Sequence, residues 1–96
     1  MHIGVARFAI FMPESMSLKD KRHGVRSVVQ RARNQFNAGI AEVADLDDPR
    51  VATIGVTVVS NSSGHVDEML QAVIAFFERS TTEGSIAEIE TETVPW

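Results

Sequence analysis

The residues best suited to binding chemistry lie in one segment, 17–33. It holds six of the nine Lys and Arg residues of the chain and a single carboxylate, Asp20, so its formal charge is +5. The whole chain carries −4, which leaves −9 for the remainder. Ser17 followed by Asp20 is a helix-capping pattern, so a helix beginning there would carry Lys19, Lys21 and Arg22 in its first two turns. Because the helix dipole already presents positive charge at that end, these cations cost about a few tenths of a kcal/mol each, and an anionic partner is the simplest reason for them.

The spacing of these cations predicts a continuous basic stripe. At about 100° per residue, four of them fall within roughly 60° of one another, along the edge of the apolar side of the helix. These four are Lys19, Arg22, Arg26 and Arg33. Arg31 lies well away from that line, and Lys21 sits close to the buried side, where its stem could carry the ammonium group outward.

Such a stripe matches the spacing of phosphates along a nucleic-acid strand, with free amides at the helix start as further donors. The candidate phosphate-binding residues are therefore Ser17, Lys19, Lys21, Arg22, Arg26, Arg31 and Arg33. The alternative interpretation is a solvated helix face that keeps the protein in solution.

A second candidate surface follows from the first predicted strand, where Arg7 alternates with Ile3, Val5, Ala9 and Phe11. If these side chains face away from the helices, the uncovered sheet face is apolar with one guanidinium group. An open apolar face favours self-association, so a homodimer is possible. Phe11 is the only aromatic residue in a position to stack on an RNA base there, which makes base stacking the weaker interpretation.

Other chemistry has little support in the sequence. The chain has no cysteine, so disulfides and thiolate chemistry are excluded. Its three histidines are scattered, and the acidic turn Asp45, Asp47 and Asp48 lacks the glycine and distal glutamate of a calcium loop. No motif positions a nucleophile beside a base. We therefore expect no catalytic residue, no metal site and no cofactor.

The hydrophobic pattern predicts one α+β domain over residues 1–96. The predicted elements are, in order, a strand at 2–12, a helix from Ser17 to Asn37 or Gly39, strands at 40–46 and 51–60, a helix after the 61–64 loop, and a strand at 86–94. Residues 12–16 and 80–84 are predicted to connect elements. The order βαββαβ with right-handed crossovers predicts a ferredoxin-like sandwich, a four-stranded antiparallel sheet with two helices on one face. The glutamates at 88, 90 and 92 should share one side of the last strand.

Four pieces of the sequence resemble the YlxP-like family of small bacterial proteins. They are Pro13 with the Ser-Leu-Lys-Asp-Lys-Arg motif at 17–22, Arg-Ala-Arg at 31–33 leading to Phe36-Asn37, Ala-Glu-Val at 41–43, and Val-Val-Ser-Asn at 58–61. The resemblance implies a ferredoxin-like fold and a role near the ribosome, because members have been linked to small-subunit assembly. It supplies no catalytic residue. Gly24 departs from the pattern, since the family usually keeps an apolar helix former there, and the 47–49 turn lacks a commonly seen aromatic residue.

Together these features predict a non-enzymatic, ribosome-associated factor that binds structured ribosomal RNA on the small subunit through its first helix. We expect a cytoplasmic protein with no membrane partner and no DNA partner, since the chain has no signal peptide and is acidic overall. Two alternatives stay open: a protein-interaction module that self-associates through the open sheet face, and a domain that binds a small anion at the start of the first helix.

Overall fold

The fold was obtained as a computed structural model that describes residues 1–13, 16–82 and 84–96. Six elements follow one another in the predicted order. They are β1 (His2–Phe11), α1 (Leu18–Gln35), β2 (Gly39–Ala44), β3 (Val51–Ser60), α2 (Ser63–Ser80) and β4 (Ser85–Pro95). The predicted connections at 12–16 and 80–84 include Glu14, Ser15 and Glu83, which lie outside the described residues.

The four strands form one antiparallel sheet in the order β2-β3-β1-β4. The central strand β1 pairs with β3 along its full length, with Phe8 opposite Ile54, and with β4 on its other side. Two helices on one face of this sheet make the ferredoxin-like α+β fold, which confirms the predicted architecture. No helix in the described ranges is long and apolar enough to cross a membrane.

The hydrophobic core lies between the helices and one face of the sheet. Along β1 and β3 every second side chain points into it, which is the period-2 pattern of a sheet with one covered face. The rings of Phe8 and Phe77 meet edge to face with centroids 5.1 Å apart, and Phe76 packs edge-on against Phe77 at 5.8 Å. The contact between Phe8 of β1 and Phe77 of α2 holds the helix against the central strand of the sheet.

Helix α1 begins as predicted and ends earlier. The hydroxyl of Ser17 accepts a hydrogen bond from the backbone N–H of Asp20 at 3.1 Å, which caps the helix. The helix ends at Gln35, before the predicted Asn37 or Gly39, because Phe36 takes an extended backbone and packs its ring edge-on against Phe76 at 5.7 Å. The free energy gained by packing that aromatic ring exceeds the free energy that a further helical residue would contribute.

Two local irregularities shorten or bend the strands. Strand β2 ends at Ala44 and not at the predicted Leu46, because Asp45 adopts a left-handed conformation with φ 60° and begins a turn closed by the N–H of Asp48. In β4, Glu88 also has a positive φ, 57°, where the register with β1 shifts. This bulge keeps Glu88 beside Glu90, on a shallow depression next to Arg7.

Candidate anion-binding surface

Three of the predicted phosphate-binding arginines line one groove between α1 and β2. Arg22, Arg26 and Arg33 border this groove, whose volume is about 490 Å³. Its apolar floor comes from Val25, Val29 and Leu46. The helical repeat therefore places these three side chains on one stripe, in the arrangement that their spacing predicts.

The three arginines differ in whether their guanidinium groups already bind another group of the protein. The guanidinium of Arg22 lies 2.9 Å from the carboxylate of Asp47, and both side chains are exposed. The Nε–H of Arg33 donates to the carbonyl of Ile40 at 2.9 Å, which leaves the rest of its fork available. Arg26 is exposed and makes no ion pair within the described residues. The groove therefore keeps unneutralised positive charge at its centre.

Lys19 and Ser17 lie at the helix start, beyond the end of this groove. Lys19 is exposed in the first turn and has no ion-pair partner among residues 1–13, 16–82 and 84–96. The hydroxyl of Ser17 is already an acceptor for Asp20, so it stabilises the helix that presents the cations. The O–H of Ser17 is not used in that bond and can donate to an anion, but the hydroxyl carries no charge.

Arg31 lies on the other side of α1, away from the groove. Its guanidinium carbon sits 6.0 Å from the ring centroid of Phe76 on α2, a distance at which a cation is attracted to an aromatic face. It also borders a separate cavity of about 270 Å³, together with Met12, Met16 and His23. The structure therefore does not bring Arg31 together with Arg22.

Lys21 corrects one prediction from the sequence. Its side chain is fully buried and does not extend outward to solvent. The Nζ atom donates to the carbonyl of Asp45 at 2.7 Å and lies 2.8 Å from Oε2 of Glu42. Because these groups surround the ammonium ion, Lys21 cannot reach a phosphate on the surface, and we exclude it from the candidate site.

The partner of Lys21, Glu42, was not identified as a functional residue from the sequence. Its Oε2 is buried and accepts no hydrogen bond within the described residues, so charge rather than a well-aligned hydrogen bond holds the pair. A signal was present, because Glu42 follows Ile40 at the period of a strand and so falls on the core-facing side of β2. A carboxylate buried on that side of the sheet needs a cation from the helix packed on it to neutralise its charge.

Hydrogen bonds to the side chains of Asp45 and Asp48 stabilise the turn after β2, which places Asp47 at the edge of the groove. Asp45 accepts a hydrogen bond from the hydroxyl of Thr53 at 2.7 Å. The backbone N–H of Arg50 donates a hydrogen bond to the Asp48 carboxylate, and its guanidinium group donates a second. These bonds, the backbone one most of all, hold the pKa of that carboxyl below its ordinary value. Within the described residues, no group of three or more histidines or carboxylates is placed to hold a metal ion.

The surface as a whole can bind an anion through guanidinium groups. Lys21 neutralises Glu42, and Arg22 is shared with Asp47, so Arg26, Arg33 and Lys19 remain as the positive charges on this side of α1. Guanidinium groups bond phosphate and carboxylate oxygens in pairs, with donors at fixed angles. An extended polyanion that follows the groove would meet these charges one after another.

Comparison with known proteins places the fold and the family. A designed protein, Foldit4, superposes with a TM-score of 0.55 at 8% identity, over 100% of this chain and 99% of its own. A C-terminal segment of the alpha subunit of aIF2 from Pyrococcus abyssi superposes with a TM-score of 0.52 at 15% identity, over 98% of this chain and 49% of that chain. At such identities these likenesses show the fold alone, and a fold shared with a designed protein specifies no function.

The sequence comparisons are more specific. The protein is 32% identical over 76 residues to the uncharacterized protein YlxP of Bacillus subtilis (strain 168), an alignment that covers 79% of this chain and 83% of YlxP. The family described as a protein of unknown function, DUF503, matches residues 3–91, which include every residue of the groove. This chain therefore belongs to the DUF503 family, together with relatives such as YlxP.

Proposed function

We propose that this protein binds structured ribosomal RNA through the groove between α1 and β2, without catalysing a reaction. The observation that supports this most is the alignment of Arg22, Arg26 and Arg33 along one groove, with Lys19 exposed near its entrance. The side chains of Lys19, Arg22 and Arg26 are exposed and make no hydrogen bond or ion pair with a buried group of the described residues. The fold therefore does not need these three charges. The cost of Lys19 and Arg22 at the start of the helix is offset if a polyanion lies against them.

The proposed contacts are to phosphates. Arg26 and Arg33 would bind successive phosphate groups, and Arg22 would exchange its exposed bond with Asp47 for a phosphate. That exchange is easy because an exposed ion pair contributes only about 0.2–1 kcal/mol. Phosphate contacts position a protein without recognising base sequence, so the shape of the RNA would supply the specificity.

The choice of ribosomal RNA rests on the resemblance to the YlxP-like family, whose members have been linked to small-subunit assembly. Under this proposal the protein is a small-subunit maturation factor. The most direct experiment is co-sedimentation with separated ribosomal subunits at two salt concentrations, using wild type and Arg26→Glu. Arg79→Glu on α2 is the matched control, because it reverses one exposed helical arginine that lies outside the groove.

We expect wild type and Arg79→Glu to migrate with the small subunit at low salt and to dissociate as salt rises. Far less of the Arg26→Glu protein should migrate with the small subunit at low salt, and none of it at high salt. Competition by free ribosomal RNA should release the wild-type protein, whereas a ribosomal protein partner would resist that competition. Migration of wild type only with free protein, or equal binding by Arg26→Glu, would overturn the proposal.

A further inference from the structure

The side of α1 that points away from the core carries a row of polar side chains, which we call the crest. At about 100° per residue, these side chains fall within about 60° of one another, opposite the buried valines of the helix. The crest consists of the exposed residues His23, Ser27, Gln30 and Asn34. Residues 21–35 include no Asp or Glu, so the helix itself offers no carboxylate that would repel a phosphate backbone along the crest.

The crest presents both donors and acceptors of hydrogen bonds. The side-chain N–H of Gln30 donates to Oδ1 of Asn34 at 3.1 Å, one turn further along the helix. This bond orients both amides and leaves the carbonyl oxygen of Gln30 and the amino group of Asn34 for a partner. The hydroxyl of Ser27 can donate and accept as well. Uncharged groups of this kind suit a partner that is itself a hydroxyl.

Arginines flank the crest on both sides. On one side lie the three arginines of the groove of about 490 Å³ between α1 and β2. On the other side, Arg31 borders the cavity of about 270 Å³, and the ring of Phe76, 6.0 Å from its guanidinium carbon, attracts it there. Around the helix axis Arg31 lies about 140° from Arg26. Helix α1 is therefore a polar ridge with a cation on each flank.

The charge of the remaining surface restricts where a polyanion can approach. Outside residues 17–33 the chain carries −9, and three of those carboxylates, Glu88, Glu90 and Glu92, lie along β4. A charge distribution this uneven repels a polyanion from most of the protein and attracts it to α1. The ridge is therefore the surface that a nucleic acid would meet.

We propose that the RNA bound by this protein is double-stranded and that the crest of α1 enters its minor groove. This inference rests on the proposed function and names the form of the RNA. The arginines of the groove bind phosphates of one strand, and Arg31 binds a phosphate of the other. Between the two strands, Ser27, Gln30 and Asn34 exchange hydrogen bonds with 2′-hydroxyl groups.

The dimensions of nucleic-acid grooves favour this arrangement. An α-helix with its side chains is about 10–12 Å across. The minor groove of an RNA duplex is wide and shallow and displays the 2′-hydroxyls, whereas its major groove is too deep and narrow for side chains to read. In B-DNA the minor groove is only about 6 Å wide, and the major groove, at about 12 Å, admits a helix but offers no 2′-hydroxyl. A single RNA strand held by the groove arginines would leave Arg31 without a phosphate.

The test is a set of fluorescence anisotropy titrations with a blunt RNA duplex, a DNA duplex of the same sequence and the single RNA strand. The crest variant Ser27→Ala, Gln30→Ala, Asn34→Ala keeps every charge and introduces only the strongest helix former, so it should stay folded. Arg31→Gln removes the cation on the far flank. Arg7→Gln is its matched control, because Arg7 is exposed on the face of the sheet opposite the helices.

We expect wild type to bind the RNA duplex at least about tenfold more tightly than the DNA duplex, the equivalent of a few hydrogen bonds. The crest variant should lose most of this preference and keep the salt dependence of wild type. Arg31→Gln should weaken binding of the RNA duplex by about 3–5-fold and leave the affinity for the single strand unchanged. Arg7→Gln should change neither affinity.

Equal affinity of wild type for the two duplexes, tighter binding of the single strand, or a preference for RNA that survives in the crest variant would overturn this inference. If Arg26→Glu still abolished binding in those cases, the proposed function would stand without it. Binding that Arg26→Glu does not weaken, or no binding to any of the three nucleic acids, would overturn both.

Discussion

The two helices are equal in length and in the way they begin, yet their surfaces are opposite in charge. Each has 18 residues and a serine cap, and both cover the same face of the sheet. The formal charge is +5 for α1 and −2 for α2. The first turn of α2 contains no Lys or Arg, whereas Lys19 and Lys21 lie at the start of α1, where the dipole disfavours them.

The helices also differ in what they contribute to the core. Helix α2 buries Leu70, Phe76 and Phe77 among its six buried residues. The apolar residues that α1 buries are valines and one alanine, all smaller than these, and its remaining buried residue is Lys21. Of the two helices, α2 therefore supplies the larger share of the core, and the sequence of α1 is best explained by the surface it presents. Lys21 is the exception, since it stabilises the fold from within the basic segment.

The largest expected effect comes from removing Lys21. Lys21→Ala should lower the free energy of unfolding by about 3–5 kcal/mol, because it leaves the carboxylate of Glu42 partly buried without a cation. The melting temperature should fall by at least about 12 °C. Urea unfolding followed by circular dichroism measures this loss.

The double variant Lys21→Met, Glu42→Leu is the control for that result. It removes both charges and keeps apolar volume at both positions, so it should recover most of the stability lost in Lys21→Ala. Arg22→Ala, one residue away, should change the free energy of unfolding by less than about 1 kcal/mol because its ion pair is exposed. A loss as large in Arg22→Ala as in Lys21→Ala would contradict the distinction between a structural and a surface cation.

A smaller effect of the opposite sign is expected at Gly24, within α1. Its backbone φ is not positive, and a Cβ built there would have nothing within 4 Å. Gly24→Ala should therefore raise the free energy of unfolding by about 0.5–1 kcal/mol through helix propensity. The control is Gly4→Ala in β1, where a Cβ would collide with Val66, so that variant should be less stable than wild type.

The smallest effect concerns Asp47, the counter-ion of Arg22. Asp47→Asn removes a negative charge from the edge of the groove and releases Arg22 for phosphate. Affinity for RNA at low salt should rise by about 2–5-fold, the equivalent of one exposed ion pair, and the gain should vanish at high salt. Glu68→Gln on α2 changes the net charge equally and should leave the affinity unchanged. Equal gains in both variants would mean that net charge, and not the groove, controls binding.

Much of this fold can be predicted from local patterns. The alternation in β1 and β3, the cap at Ser17 and the order of the elements depend on residues that are neighbours in the sequence. The alignment of Arg22, Arg26 and Arg33 likewise follows from the helical repeat alone. Local periodicity is therefore sufficient for the architecture and for the stripe.

The features that the sequence did not predict depend on contacts between distant elements. The projection placed Lys21 near the buried side, but only the position of the turn after β2 determines that its ammonium group meets the carbonyl of Asp45. The pairing of Asp47 with Arg22 has the same origin, 25 residues apart in the chain. The early end of α1 depends on a ring of α2 that receives Phe36. Each of these depends on tertiary packing, which local propensity does not encode.

The most direct test of the central claim measures stability and RNA affinity in one variant, Lys19→Glu, Arg26→Glu. A carboxylate at position 19 favours the helix dipole, and one at position 26 lies four residues after Arg22, so the melting temperature should stay the same or rise. About four phosphate contacts predict a slope of roughly −3 for the logarithm of wild-type affinity against the logarithm of salt concentration. The variant should show a slope of about −1.5 and much weaker binding. An equally tight, equally salt-dependent complex with the variant would contradict the claim that these cations serve a polyanion.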